Sequence, residues 1–211
     1  MIGVIGAPGL RGTGPDADVA GLAAAIAVAA AGAGSRVEFI GKTGDDPAGD
    51  AVLLALAHHH VGHVATLRDP ARPTPVIGAA DEPVDIDATD APPPAAPSTE
   101  AGPVLEAADV GLALRYLPEL AVIVAVHVRP EVVEEAVAAS GWAKTALIVV
   151  VAPDATAPEG LPTSAIVVAV VDDDDLEGGA GAAIGRYAAA IDQGDPAAEA
   201  YADLVATGTA T

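Results

Sequence analysis

The chain predicts an α/β fold: a doubly wound, mostly parallel sheet with helices on both faces. Three observations lead there. Short β-branched runs alternate along the sequence with Ala-rich helical patterns. The runs are apolar throughout instead of alternating with polar residues, as strands buried on both faces require. And 211 residues suffice for one such domain with a sizeable core, so residues 1–211 are expected to form a single unit.

In chain order, Ile2–Ile5 reads as a strand and Val19–Ala31 as a helix, then Val37–Ile40 and Pro47–Ala57 repeat the pair. Val64–Leu67 and Pro75–Ile77 are short strand candidates. They lead into Asp81–Ser98, DEPVDIDATDAPPPAAPS, where prolines remove backbone donors and carboxylates resist burial. That stretch is expected to be a mobile loop, either a lid remnant or a plain exposed connection. Val122–Val126 with Pro130–Ala139, and Leu147–Val151 followed by Ile166–Val171, complete the alternation. Two helices, Ala180–Ile191 and Ala197–Val205, come last, with Gly194 suited to a C-terminal cap between them and Pro196 to a first turn.

Hydrophobic residues make up 52% of the chain and aromatics only 2%, so the core must be built from Ala, Val, Leu and Ile. Ring stacking is therefore scarce, which argues against single-stranded nucleic acid as a partner. Thirty acidic against nine basic residues give a formal charge of −21, a field that repels nucleic acid and anionic membranes. Without cysteine there is neither a disulfide framework nor a thiolate zinc site. MIGVIGAPG lacks a basic region and a long apolar core, and no stretch reaches the roughly 20 strongly apolar residues of a membrane span, so a cytoplasmic protein is expected.

Two glycine-bearing segments carry the chemistry. In Gly41–Gly49, GKTGDDPAG, Gly44 and Gly49 permit tight turning about a helix start, Asp45 or Asp46 can cap it, and Pro47 suits its first turn. In Gly178–Gly185, GGAGAAIG, a glycine-rich turn enters a helix and would present backbone N–H groups to an anion, although such a turn is also an ordinary helix start. Adjacent carboxylates at Asp172–Asp175 can attract a hard divalent cation or simply form a solvated turn. His58, His59, His60 and His63 invite a metal reading, but consecutive histidines on a helix point apart, and a helix end favours their positive charge. His127 and Arg129, at a strand's carboxyl end, could border a cleft.

From Ser35 to Val76 the sequence resembles the N-terminal half of the PfkB/ribokinase family of sugar and nucleoside kinases: strand, G-x-x-G-x-D-x-x-G turn, helix, and a strand pair with a Thr-containing stretch, at Gly41, Gly44, Asp46, Gly49 and Thr74. Ala146–Asp175 is similar to the family's strand, loop and second strand ending in a magnesium-organising Asn-x-x-Glu, which falls on Asp172 and Asp175. The resemblance implies a ribokinase-like fold, shortened at the C-terminal nucleotide-binding half, because only Leu176 and Glu177 separate that motif from GGAGAAIG. It also implies an anion site at Gly179, Ala180 and Gly181, and a substrate pocket near Gly21, Gly44 and Asp46; Asp16 and Asp18, just before Gly21, could supply polar groups there or form a helix N-terminal acidic pair. Two departures bear on activity: the family's pocket Asn falls on Ala25, and its catalytic base on Ala182.

The expectation is a degenerate family member, non-catalytic or severely impaired, acting through binding or assembly on a small molecule or as a homo-oligomer. A shortened sheet leaves an edge or an apolar face that another copy could cover. The alternative is an active kinase using ATP and Mg, with a carboxylate of Asp172–Asp175 as substitute base and a nucleotide site completed by a partner subunit.

Overall fold

A computed structural model describes residues 1–12, 14–77, 102–170 and 179–195. The expected loop at Asp81–Ser98, the acidic run Asp172–Asp175 and the expected helix Ala197–Val205 lie outside the described residues.

The described elements are β1 (Ile2–Ile5), β2 (Gly9–Arg11), a 3₁₀ turn (Gly14–Asp16), β3 (Asp18–Ala20), α1 (Leu22–Gly32), β4 (Val37–Gly44), α2 (Pro47–His58), β5 (Val61–Gly62), β6 (Thr66–Asp69), β7 (Val76–Ile77), α3 (Ala107–Tyr116), β8 (Val122–Val126), α4 (Pro130–Ala143), β9 (Ala146–Val151), β10 (Ile166–Ala169) and α5 (Ala180–Gln193). The main sheet runs β10-β9-β8-β1-β4-β5, with β6 also on β4, and every pairing in it is parallel. A smaller sheet, β3-β2-β7, stands apart from it.

The wholly apolar runs are strands because both of their faces are covered. Ile2, Val4, Phe39, Val122, Val124 and Ile148 pack into a core with α1, α2 and α5. Their neighbours Ile5, Ile40, Ile123, Leu147 and Val149 pack into a second core with α3 and α4. Successive residues of one strand thus feed opposite cores, and a polar residue on either face would be buried.

Several boundaries differ from the sequence reading. Val19 and Ala20 belong to β3, and the first helix starts only at Leu22, after Gly21 turns the chain at φ 96°. Asp16 and Asp18 are therefore not a helix N-terminal pair: Asp16 ends the 3₁₀ turn and Asp18 opens β3. The strand expected at Val64–Leu67 lies at Thr66–Asp69. Both β2 and α3 were absent from the sequence reading.

Candidate functional site

β1 lies at the middle of the sheet. From it the chain builds outward through β4 to β5 and β6, then crosses back to lay β8, β9 and β10 on the other side. Such a reversal opens a crevice outside the carboxyl ends of the two strands flanking it, here β1 and β8. Gly6 follows β1 at that point. A Cβ on it would lie 2.5 Å from the Ala23 methyl and 3.4 Å from the Val126 carbonyl, so glycine is what lets the first turn of α1 close over the strand ends.

Two helices start at this crevice. α1 leads down to β4, and α5 runs the same way: the Asp192 carboxylate near its end pairs with the Met1 amine at the start of β1. The Gln193 amide donates to the Ala33 carbonyl at the end of α1 over 2.9 Å. The two helices are parallel, and glycine sets their separation. A Cβ on Gly181 would lie 2.7 Å from the Ala25 methyl; one on Gly185 would lie 2.5 Å from the Ile26 carbonyl and 3.0 Å from the Ala30 nitrogen.

Parallel packing brings two helix N-termini together at the carboxyl edge of the sheet. Neither Gly21 nor Gly179, the two N-cap residues, has a side chain to offer the helix, and neither helix carries an acidic residue in its first turn. Amide N–H groups of both helices are left without side-chain caps, and their dipoles point the same way. Gly179, Ala180 and Gly181 form the start of α5, with Gly181 against Leu22 and Ala25 of α1. Positions 25 and 182, on the two facing helices, both carry methyl groups, 1% and 3% exposed.

The GKTGDDPAG segment is put together differently. Asp46 caps α2, accepting the Gly49 N–H at 2.7 Å, the Thr74 N–H at 2.8 Å and the Thr74 hydroxyl at 2.8 Å. Thr74 Oγ1 in turn accepts the Gly44 N–H at 2.9 Å, and Arg68 donates to the Gly44 carbonyl at 2.9 Å while pairing with Asp50. Burial works against ionisation of Asp46, but the backbone N–H groups of Thr74 and Gly49, the Thr74 hydroxyl and the Arg68 charge outweigh it and hold the carboxyl below the ordinary aspartate range. Both carboxylate oxygens are engaged inside the protein. Gly49 is obligatory here, since a Cβ on it would overlap the Gly44 carbonyl.

Asp18 is also engaged. Its carboxylate lies 2.9 and 3.1 Å from His59 Nε2 and accepts the Val19 N–H at 2.8 Å. Asp16 is exposed. The histidine run sits at the end of α2 as geometry required: His58 in the last turn, His59 as C-cap, His60 in the left-handed region at φ 60°. Among the described residues no group of three or more His, Asp or Glu could hold a metal ion, and Asp172 and Asp175 lie outside those residues. His127 borders the crevice, exposed, at φ 48°, with its N–H on the Val150 carbonyl at 3.0 Å. Arg129 donates to the Leu105 carbonyl at 3.0 Å and occupies the N-cap position of α4 without a side-chain bond to the helix.

One polar contact near the crevice was not anticipated from sequence. Lys42 Nζ, beyond the last β1–β4 residue pair, lies 2.6 Å from Asp109 Oδ2 in the first turn of α3, and the Asp109 carboxylate also accepts the Glu106 N–H at 3.1 Å. The spacing Glu106–Asp109 resembles a capping pair and could have revealed α3.

A parallel sheet whose strand order reverses beside β1, with helices on both faces, defines a doubly wound α/β protein. Residues 9–158 match the pfkB family carbohydrate kinase profile, and the chain belongs to that family. No curated protein sequence matches the chain. Among solved structures, it is similar to the PfkB protein of Polaromonas sp. JS666, with 15% identity over 99% of this chain and 94% of that one, at a TM-score of 0.66. It is also similar to a candidate ribokinase II of E. coli (13% identity, 94% and 88% covered, TM-score 0.59) and to fructokinase of Xylella fastidiosa (15%, 97% and 66%, 0.52). These likenesses establish the ribokinase-like fold. Of other matched structures, including a sugar kinase of Pyrococcus horikoshii, the chain spans only 52 to 56% of the length.

Proposed function

We propose that this chain is a carbohydrate-kinase homologue that is non-catalytic or severely impaired and acts by binding a small anionic ligand or by assembly. The observation that carries this reading is Ala182. The helix start that would stabilise a transferring phosphoryl group is intact at Gly179–Gly181, but the position expected to take the substrate's proton holds a buried methyl group. Ala25 supports the reading from the other helix, where a methyl replaces an amide that would discriminate a sugar hydroxyl.

Assembly has support of its own. Among the described residues β10 ends the sheet path, and Val167 is 39% exposed on it beside an exposed Ala169. A second copy is the partner proposed for that edge. The whole chain, assayed against a panel of sugars and nucleosides with ATP and magnesium, is expected to show no turnover above background, while an anionic ligand raises its melting temperature. Robust ATP-dependent phosphorylation of any panel member would overturn the reading in favour of an active kinase with a substitute carboxylate.

A further inference from the structure

α3 and α4 lie side by side on one face of the sheet and run the same way. Asp109, in the first turn of α3, meets Lys42 past the β1–β4 pairs, and α4 starts at Pro130, just after β8, so both helices begin at the carboxyl edge of the sheet. Both end at the amino edge: Tyr116 closes α3 shortly before Leu120, whose carbonyl accepts the hydroxyl of Thr145, just past α4, at 2.9 Å. A Cβ on Gly111 would lie 2.9 Å from Glu135 Oε2, which sets these two positions opposite each other.

The inner sides of the pair bury Val110, Leu114, Val132, Val133 and Ala136 in the second core. The outer sides hold large apolar groups in solvent: Leu112 is 51% exposed, Tyr116 78% and Trp142 64%. Arg115, one turn below Gly111, and Trp142, two turns below Glu135, stay on the sides where the helices meet, while Leu112 and Tyr116 form the crest of α3. Measured from the Gly111–Glu135 contact, Tyr116 lies about 8 Å and Trp142 about 11 Å toward the amino edge, at nearly one level. The chain's single tryptophan and one of its three tyrosines thus stand exposed together, where a scatter of lone apolar residues would mean nothing.

Charge divides along the same two helices. Toward the amino edge Arg115 and Lys144 are exposed, and the nearby Glu119 is paired with Arg36. Toward the carboxyl edge Glu106, Glu131 and Glu134 are exposed, while Lys42 is paired with Asp109 and Arg129 is held on the Leu105 carbonyl. A face sorted in this way is complementary to itself when turned end for end. A two-fold axis lying across the helices in the plane of contact sets the basic, aromatic half of each copy on the acidic half of the other; an axis along the helices would set like on like.

We propose that the outer face of α3 and α4 is the contact between two copies of this chain, packed antiparallel about such an axis, with Tyr116 and Trp142 as anchors and the Arg115–Lys144 end of each copy on the glutamates of the other. The proposal rests on the assembly arm of the function proposed above and uses a surface separate from the β10 edge.

Sedimentation equilibrium of the full chain tests it. The wild type is expected to self-associate at about 100 μM, the range of a modest protein surface. Arg115→Glu/Lys144→Glu makes the whole face acidic, and Glu131→Lys/Glu134→Lys makes it basic. Each is expected to self-associate about tenfold more weakly or worse, and an equimolar mixture of the two to regain a one-to-one complex. Should either variant not fold, Tyr116→Ser/Trp142→Ser is expected to weaken self-association by about tenfold or more through loss of the anchors. Wild-type association that these substitutions leave unchanged would overturn the proposed contact and leave the β10 edge as the surface of assembly. Weakened charge variants whose mixture fails to combine would overturn the antiparallel arrangement. A wild type that stays monomeric at about 100 μM would overturn the contact and the assembly reading together, with the anionic-ligand reading unaffected.

Discussion

The start of α2 and the paired starts of α1 and α5 meet one physical problem with opposite solutions. Every helix begins with N–H groups that lack an intrahelical partner. At α2 the chain supplies an acceptor itself: Asp46 takes the Gly49 N–H and also binds Thr74, so both carboxylate oxygens are engaged within the protein. At α1 and α5 the N-caps are Gly21 and Gly179, which bring no acceptor. The glycine-rich motif that looks the more complete in sequence is thus the one spent on architecture. The more damaged one leaves its helix start without a side-chain cap.

The contrast breaks most forcefully at the helix contact. Gly185→Val would push a side chain into the Ile26 carbonyl and the Ala30 nitrogen, backbone atoms that can move only if α1 moves. A loss of about 3 kcal/mol is expected, read from urea unfolding, because overpacking here cannot be relieved by a rotamer change. The proposed anion site should fail with it, since both helices pack at this contact. A variant as stable as the wild type would mean that the helices can separate cheaply.

Next comes the closed helix start. Asp46→Ala is expected to cost about 2 kcal/mol near pH 7, the upper end for a lost N-cap, because the Thr74 N–H loses its acceptor too. The sign of the pH dependence follows from the lowered Asp46 pKa. The native carboxyl binds a proton less readily than the unfolded one, so its contribution is complete above about pH 4 and is lost as pH falls through the lower native value. Wild type and variant should therefore converge in stability below about pH 4. Divergence toward acid would assign the clasp a different charge state.

How much of this the sequence disclosed follows from what each feature depends on. Ile2–Ile5 and Val122–Val126 were legible to the residue, because burial on both faces writes itself as an unbroken apolar run. A cap for α2 at Asp45 or Asp46 was legible because capping is local, and the structure uses Asp46; the α5 start was legible from its glycine-rich turn. β3 was not: DVAGLAAAIA suits a helix from its first Val, and only Gly21, at a positive φ, marks the break. Lys42–Asp109 and Asp18–His59 join residues far apart in sequence, and no local pattern specifies either pair. The proposed anion site was half legible. Gly179 announced one helix start, but its alignment with the start of α1 emerges only from the parallel run of the two helices, which the sheet order imposes.

The smallest expected change asks whether the open helix start lacks only a base. Ala182→Asp places a carboxylate in the first turn of α5, where the helix dipole favours it by about 0.3–1 kcal/mol. Burial opposes this, since the methyl it replaces is 3% exposed. Burial costs more than the dipole returns, so a net loss of about 1 kcal/mol is expected. Turnover with ATP and sugars is expected to stay at background, because on the proposed reading position 25, against Gly181 on the facing helix, supplies only a methyl. A gain of about 10²–10⁴, the usual worth of a positioned base, would show instead that the crevice binds nucleotide and substrate in register. The difference between the two helix starts would then be one side chain deep.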